Sequence, residues 1–209
     1  MSSQIPALDK VYAAESPEEL ATAYAAWADG YDGETLGLGY CLPFIICSWV
    51  ARYVPKSAQA LLDAGCGTGL SGAYLKALGY GKVEGLDFSE KMLAIARARG
   101  GYSALKQAEL GKTLPWRDGH FDAFLSSGVF TEGHAPASGL DELVRVTRPG
   151  GHAVFTVRDS VVERGSFRDV FEWLEKAERW RPVEESPSFR AFALAEPEVM
   201  VKAFVFEIL

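Results

Sequence analysis

Seven residues, DAGCGTG at 63–69, constrain this chain more than any other stretch. Glycines at positions 65, 67 and 69 let the backbone turn tightly and let a ligand approach it without meeting a Cβ. The residues before them, ALLDA (60–64), read as a short apolar strand. Those after them, about 70–78, read as a helix closed by Gly79. A strand running into such a turn, and then into a helix whose first N–H groups are free, is the opening of a βαβ unit that binds at its carboxyl edge. A glycine cluster alone marks only a tight turn; the flanking elements give this one its weight.

The alternation continues downstream. Residues 83–86 form a second strand ending at Asp87, and Ser89 caps a helix with Glu90 in its first turn and Met92, Leu93, Ile95 and Ala96 as apolar positions. Gly100-Gly101 stops that helix. Further strands are expected at 102–107, 121–126, 152–157 and 199–208. A helix marked by Leu140, Leu143, Val144 and Thr147 precedes the turn RPGG (148–151), and another covers about 167–177. Such alternation predicts a parallel sheet with helices on both faces and a site outside the carboxyl ends of its strands. No repeat or long linker interrupts it, so one structural unit is expected. Upstream, Ser16, Pro17 and Glu19 read as the N-cap, first helical residue and capping-box partner of a helix carrying Leu20, Tyr24 and Trp27. DGYDG (29–33) reads as a turn. Leu42, Ile45, Ile46, Trp49, Val50 and Tyr53 then mark a second helix, ended by Pro55. Residues 1–58 are expected to form a helical cap over the site, and 59–209 the binding core.

A length of 209 residues suffices for such a sheet, and 48% hydrophobic residues suit a folded domain. The net charge of −7, with no basic run longer than the Arg97–Arg99 pair broken by Ala98, argues against nucleic acid as a partner. The most apolar window, CLPFIICSWV (41–50), falls well short of the roughly 20 residues that span a bilayer, so no membrane partner is expected. The N-terminus shows no basic segment followed by an apolar one. Cys41, Cys47 and Cys66 form no CxxC pair, which indicates neither a disulfide framework nor a zinc site. A cytoplasmic protein without a metal is the expectation.

Asp87 sits eighteen residues beyond Gly69 at the tip of the second strand. A carboxylate there can accept two hydrogen bonds from ribose hydroxyls. The competing reading, a flank to the helix capped by Ser89, ignores that strand tip. The glycine spacing is G-x-G-x-G, with Leu70 where a dinucleotide fingerprint has glycine or alanine, which disfavours a nicotinamide dinucleotide.

LLDAGCGTG (61–69), VEGLDFSEKML (83–93), LPW before FDAFLSSG (114–128) and RPGGHAVFTV (148–157) resemble, in order, the motifs of Rossmann-like S-adenosylmethionine-dependent methyltransferases. YAAWADGYD (24–32), GVFTEGHAP (128–136) and TVRDS (156–160) narrow the resemblance to one branch of that family. The resemblance implies a doubly wound α/β fold: a mostly parallel seven-stranded sheet with an antiparallel last strand. It implies S-adenosyl-L-methionine as cofactor and S-adenosyl-L-homocysteine as product and leaves the acceptor undefined; the acidic charge and the lack of a nucleic-acid-reading motif favour a small-molecule methyl acceptor. By the family pattern, Asp63 and the backbone of Gly65, Cys66, Gly67 and Gly69 would hold the methionine moiety. Asp87 would bind the ribose, with Phe88 and Met92 near the adenine. Glu109 and the Leu110 backbone, standing where the family commonly has Asp-Ala, would reach the adenine amino group. Ser127 would lie under the cofactor, and Tyr31 with Trp27 would close the site; Tyr24 receives no direct role.

Methyl transfer from a sulfonium is an in-line displacement that depends mainly on alignment, and a base is needed only when the acceptor must lose a proton. His134, Glu132 and Tyr31 can reach the site mouth, with His134 the catalytic candidate. The bland reading of His134 is an exposed loop residue. His120 and His152 stand before or at the start of strands. Phe167, Val170, Phe171 and Leu174 read as core, whereas Trp173 and Trp180 either lid a hydrophobic acceptor or pack on the sheet. A protein methyltransferase and a non-catalytic cofactor-binding protein are the alternatives.

Overall fold

The computed structural model describes residues 5–14 and 16–209. Residues 1–4, part of the segment read for a leader and of the expected cap, lie outside the described residues, as does Glu15. Helices α1 (Pro6–Tyr12), α2 (Pro17–Gly37) and α3 (Leu42–Tyr53) lead into β1 (Leu61–Ala64), α4 (Leu70–Ala77), β2 (Val83–Asp87), α5 (Glu90–Arg99) and β3 (Ala104–Gln107). There follow β4 (Phe121–Phe130), α6 (Gly139–Val146), β5 (Thr147–Arg158), α7 (Asp159–Glu163), α8 (Ser166–Lys176), β6 (Trp180–Glu185), β7 (Phe189–Arg190) and β8 (Met200–Ile208).

The sheet runs β3-β2-β1-β4-β5-β8-β6, with the two-residue β7 also pairing β8. β1 pairs in parallel with β2 and β4, and β4 with β5, while β8 runs antiparallel between β5 and β6. Chain direction along the sheet therefore reverses its order at β1, and the crevice outside the carboxyl ends of β1 and β4 is the switch point.

Alternation along the strands divides the core in two. Leu62, Phe124, Phe155, Phe204 and Phe206 face α6 and α8, joining Leu140, Leu143, Phe171 and Leu174. Leu61, Ala123, Leu125, Val154 and Val205 face the other way, onto Ile46, Cys47 and Val50 of α3 and Leu75 of α4. The α3 segment, expected in the cap, is thus a layer of the core. A third cluster joins α1 and α2 to the segment around β7, through Leu8, Val11, Leu20 and Trp27 against Phe192 and Val199.

One sequence expectation is corrected, and of the two readings open for Trp180 the structure shows packing on the sheet. DGYDG does not turn; α2 runs through it to Gly37, because Trp27 Nε1 donates to Glu34 Oε2 (2.9 Å) and Thr35 Oγ1 to the Tyr31 carbonyl (2.6 Å) across it. The Ser16 cap stands, accepting from the Glu19 N–H at 3.1 Å. Trp180 is no lid. It is fully buried at the start of β6, an unforeseen strand, with its ring 3.8 Å from that of Phe206 and its Nε1–H on the Phe171 carbonyl. Trp173, by contrast, is half exposed on α8. No helix among the described residues is long and apolar enough to cross a membrane.

Candidate functional site

The glycine turn closes as its spacing requires. Gly65, Gly67 and Gly69 all have positive φ (79°, 53° and 88°). At Gly65 the constraint is also steric, since a Cβ there would stand 2.3 Å from Val129 Cγ2 at the end of β4. The turn's amides are nearly all engaged internally. The N–H groups of Gly65 and Cys66 donate to the Leu86 carbonyl (2.9 and 2.8 Å), that of Gly67 to Asp87 Oδ2 (2.9 Å), and that of Gly69 to the Cys66 carbonyl (2.9 Å). In α4, Gly72 N–H donates to Tyr102 Oη (3.0 Å). At the helix start itself Gly72 N–H is thus engaged, while the N–H groups of Leu70 and Ser71 stay available at its positive end.

Beside the turn a cavity of about 780 Å³ opens, within the range of small-molecule sites. Gly65 and Gly67, Asp87, Phe88 and Met92, Glu109 and Leu110, Ser127, His134 and Tyr31 all line it. The expected ligand-facing residues thus converge from β1, β2, the segment after β3, the tip of β4 and α2. Asp87 is aimed by two backbone donors, Gly67 N–H on Oδ2 and Ser89 N–H on Oδ1 (2.9 Å each), leaving further lone pairs for a ligand. Burial raises its carboxyl to about 6, against the N–H groups that hold it down.

Trp27, Asp63, Cys66 and Gly69 are not among the residues lining this cavity. Trp27 is buried behind Tyr31, its ring centroid 4.8 Å away, and backs the wall without forming it. Asp63 accepts a hydrogen bond from Tyr102 Oη at 2.6 Å, and burial raises its carboxyl to about 7. The bonded Tyr102 hydroxyl in turn accepts from Gly72 N–H of α4. The Cys66 thiol is buried toward Gly85, and burial pushes it well up. Gly69 is the left-handed N-cap of α4.

Two features escaped the sequence reading, and the catalytic candidate gains a defined setting. Tyr24, given no direct role, lines the cavity and places its hydroxyl 2.9 Å from His134 Nε2. Its helical spacing from Leu20 and Trp27 was the available signal. His134 is correspondingly not an exposed loop residue; it is partly buried, and burial lowers its pKa. Asp32 ties α2 to the glycine turn: Oδ1 accepts from Thr68 Oγ1 (2.6 Å) and Oδ2 pairs with Arg99, whose Nε donates to the Thr68 carbonyl (2.8 Å). Among the described residues no cluster of histidine, cysteine or carboxylate side chains could hold a metal ion.

A glycine turn, a buried acid at the tip of the next strand and a cavity at the switch point define a small-molecule site on a doubly wound sheet. A family model described as a methyltransferase domain matches residues 62–155. The chain belongs to the Rossmann-like S-adenosylmethionine-dependent methyltransferases. It is 35% identical over 163 residues to human methyltransferase-like protein 27, covering 75% of this chain and 66% of that one. It is 40% identical over 102 residues to the demethylmenaquinone methyltransferase of Clavibacter sepedonicus, and 33% over 139 to a malonyl-[acyl-carrier protein] O-methyltransferase of Erwinia pyrifoliae. Those matches cover 48% and 66% of this chain, and 41% and 48% of the relatives. The chain therefore spans between about two fifths and two thirds of these relatives. Among solved structures, a chain of the complex between the Haloferax volcanii Trm112 methyltransferase activator and a methyltransferase has a TM-score of 0.68 at 19% identity, covering 88% of this chain and 97% of that one. An S-adenosylmethionine-dependent methyltransferase from Aquifex aeolicus scores 0.57 at 21% identity, covering 78% and 89%. These share the fold.

Proposed function

We propose that the protein transfers a methyl group from S-adenosyl-L-methionine to a small molecule, yielding S-adenosyl-L-homocysteine, with catalysis resting mainly on alignment. The observation that carries this is the cavity at the switch point, where Asp87 is fixed by Gly67 and Ser89 beside a turn with few free amides. The glycine spacing, with Leu70 at the third fingerprint position, sets this turn apart from a dinucleotide site.

In this reading Asp87 accepts the ribose hydroxyls, Phe88 and Met92 flank the adenine, and Glu109 with the Leu110 backbone meets its amino group. Ser127 supports the cofactor from the end of β4, Gly65 and Gly67 give the methionine moiety room, and Tyr31 covers it, backed by Trp27. Asp63, Cys66 and Gly69 act one step removed, by shaping the turn. The bound cofactor supplies the electrophilic methyl; the chain supplies orientation and exclusion of water. Residues up to 58 are assigned to the cap, α3 excepted. A small acceptor is favoured by the size of the cavity and by a relative named for demethylmenaquinone methylation. Cys41, Cys47 and Cys66 are free thiols, which suits a cytoplasmic setting.

Calorimetric titration with S-adenosylmethionine, S-adenosylhomocysteine and NADH tests the reading, and binding of NADH alone would refute it. Labelled cofactor incubated with a metabolite extract, followed by mass spectrometry, identifies the acceptor. Label found only in protein would establish the protein-methyltransferase alternative instead.

A further inference from the structure

The loop after β4 holds its histidine in a defined protonation pattern. His134 Nδ1 lies 2.9 Å from the Glu132 carbonyl and 2.9 Å from Thr131 Oγ1. A carbonyl only accepts, so Nδ1 carries the ring proton and Nε2 presents a lone pair. That lone pair faces Tyr24 Oη at 2.9 Å, so the Tyr24 O–H donates to it. Tyr24 then keeps its own oxygen lone pairs for a second donor, and both residues line the cavity with Asp87 and Ser127. The loop is pinned from the end of β5, because the Glu132 carboxylate takes the Ser160 hydroxyl and pairs with Arg158 at 3.2 Å. The surroundings are aromatic: Tyr24 packs edge-on to Phe88 (6.1 Å between centroids) and beside Tyr31 (6.2 Å). The ionisable groups around His134 are Tyr24 and Tyr31 of α2, Tyr12 of α1, Tyr40 and Arg158, with Glu132 two residues before it. Burial keeps the imidazole neutral and the Tyr24 phenol protonated, which is the resting state a relay requires.

We infer that His134 is the general base of the transfer, reached through the Tyr24 hydroxyl, and that the methyl acceptor is a neutral, flat, apolar molecule bearing a phenol-type hydroxyl. The inference rests on the methyltransferase reading above. The acceptor's O–H bond breaks as its proton moves to Tyr24 Oη and the Tyr24 proton moves to His134 Nε2. The acceptor oxygen bonds the methyl carbon while the carbon–sulfur bond breaks, its electron pair staying on sulfur. The products are a methyl ether, a thioether and an imidazolium that returns its proton to solvent. A neutral amine attacks through a lone pair already free and gives such a relay no task before transfer. A carboxylate is already ionised and likewise gives the relay no proton to move.

The purified protein is first loaded with S-adenosylhomocysteine; absence of calorimetric binding overturns the methyltransferase reading itself. 4-Nitrophenol is then titrated into the loaded protein at a pH where the free probe is protonated. Phenolate absorbance is expected on binding, the probe's apparent pKa falling by about one unit. The signal disappears in His134→Gln and weakens in Tyr24→Phe, each confirmed to bind S-adenosylhomocysteine; should the first fail to fold, the second is the comparator. With S-adenosylmethionine the product is the aryl methyl ether, formed about 100-fold more slowly by His134→Gln. Cofactor binding without a phenolate signal, an undiminished signal in the folded variants, or methylation of 2-naphthylamine but not 2-naphthol overturns the inference and leaves the methyltransferase reading standing.

Discussion

Replacing Asp87 with asparagine should flatten the protein's pH–stability profile while weakening its cofactor. Burial raises the Asp87 carboxyl from its ordinary 3.8 to about 6, despite N–H groups from Ser89, Gly67 and Phe88. Because the native pKa lies above the unfolded one, this group's stabilising contribution is complete below about pH 4 and is lost as the pH rises through about 6. At about 1.4 kcal/mol per pH unit the full interval is worth about 3 kcal/mol. Roughly half of it falls between about pH 5 and about pH 8. The Asp87→Asn protein has no such loss. Its amide also leaves one of the two backbone donors poorly paired, costing about 1–3 kcal/mol at every pH, so the slope is the diagnostic quantity. Asp63, raised to about 7, titrates in both proteins and largely cancels in the difference. Urea denaturation of both proteins without cofactor, at the two pH values, measures the slope. Equal slopes would refute the argument. Calorimetry of the same variant should show S-adenosylmethionine binding weakened by roughly 1.5–3 kcal/mol, about 10- to 150-fold.

Three further outcomes follow from the geometry. Gly65→Ala places a Cβ against Val129 at a residue with φ 79°; it should cost about 1–3 kcal/mol in a thermal melt and impair cofactor binding. Asp32→Ala frees Thr68 and Arg99; stability should drop by about 1 kcal/mol, and S-adenosylhomocysteine should dissociate several-fold faster in stopped-flow fluorescence, an unchanged rate counting against the tie. Trp180→Ala removes the stack on Phe206 and should lower unfolding free energy by about 3–5 kcal/mol; an altered acceptor preference at full stability would revive the lid reading.

The part of the site nearest the glycine turn was legible because backbone demands leave a mark: Gly65 and Gly67 stand where positive φ and close approach require them, and Asp87 ends a strand. Side-chain direction leaves a weaker one. Asp63 reads as a ligand contact from its place in the motif, and nothing local shows that one of its oxygens meets Tyr102, thirty-nine positions on in the loop before β3. Tyr24 and Trp27 share an apolar stripe, and nothing local says that the first reaches His134 while the second is buried. DGYDG carries every mark of a turn, but contacts spanning it from Trp27 to Glu34 keep it helical. The strand at 180–185 alternates poorly because only Trp180 is buried fully.

The strand order also dictates a sequence of events during synthesis. All four strands flanking the glycine turn and its crevice, β1 to β4, exist once Phe130 has been made, and β5 completes their parallel array at Arg158. β6 is translated next but has no neighbour to pair with, since β8 must slot between it and β5. Until Ile208 emerges, the β6 backbone lacks a strand to pair with and Trp180 lacks its stack on Phe206, leaving an unpaired edge and an apolar ring of the kind that lets nascent chains aggregate. Half the sheet can thus form early from neighbouring segments, while the other half waits for one late insertion of high contact order.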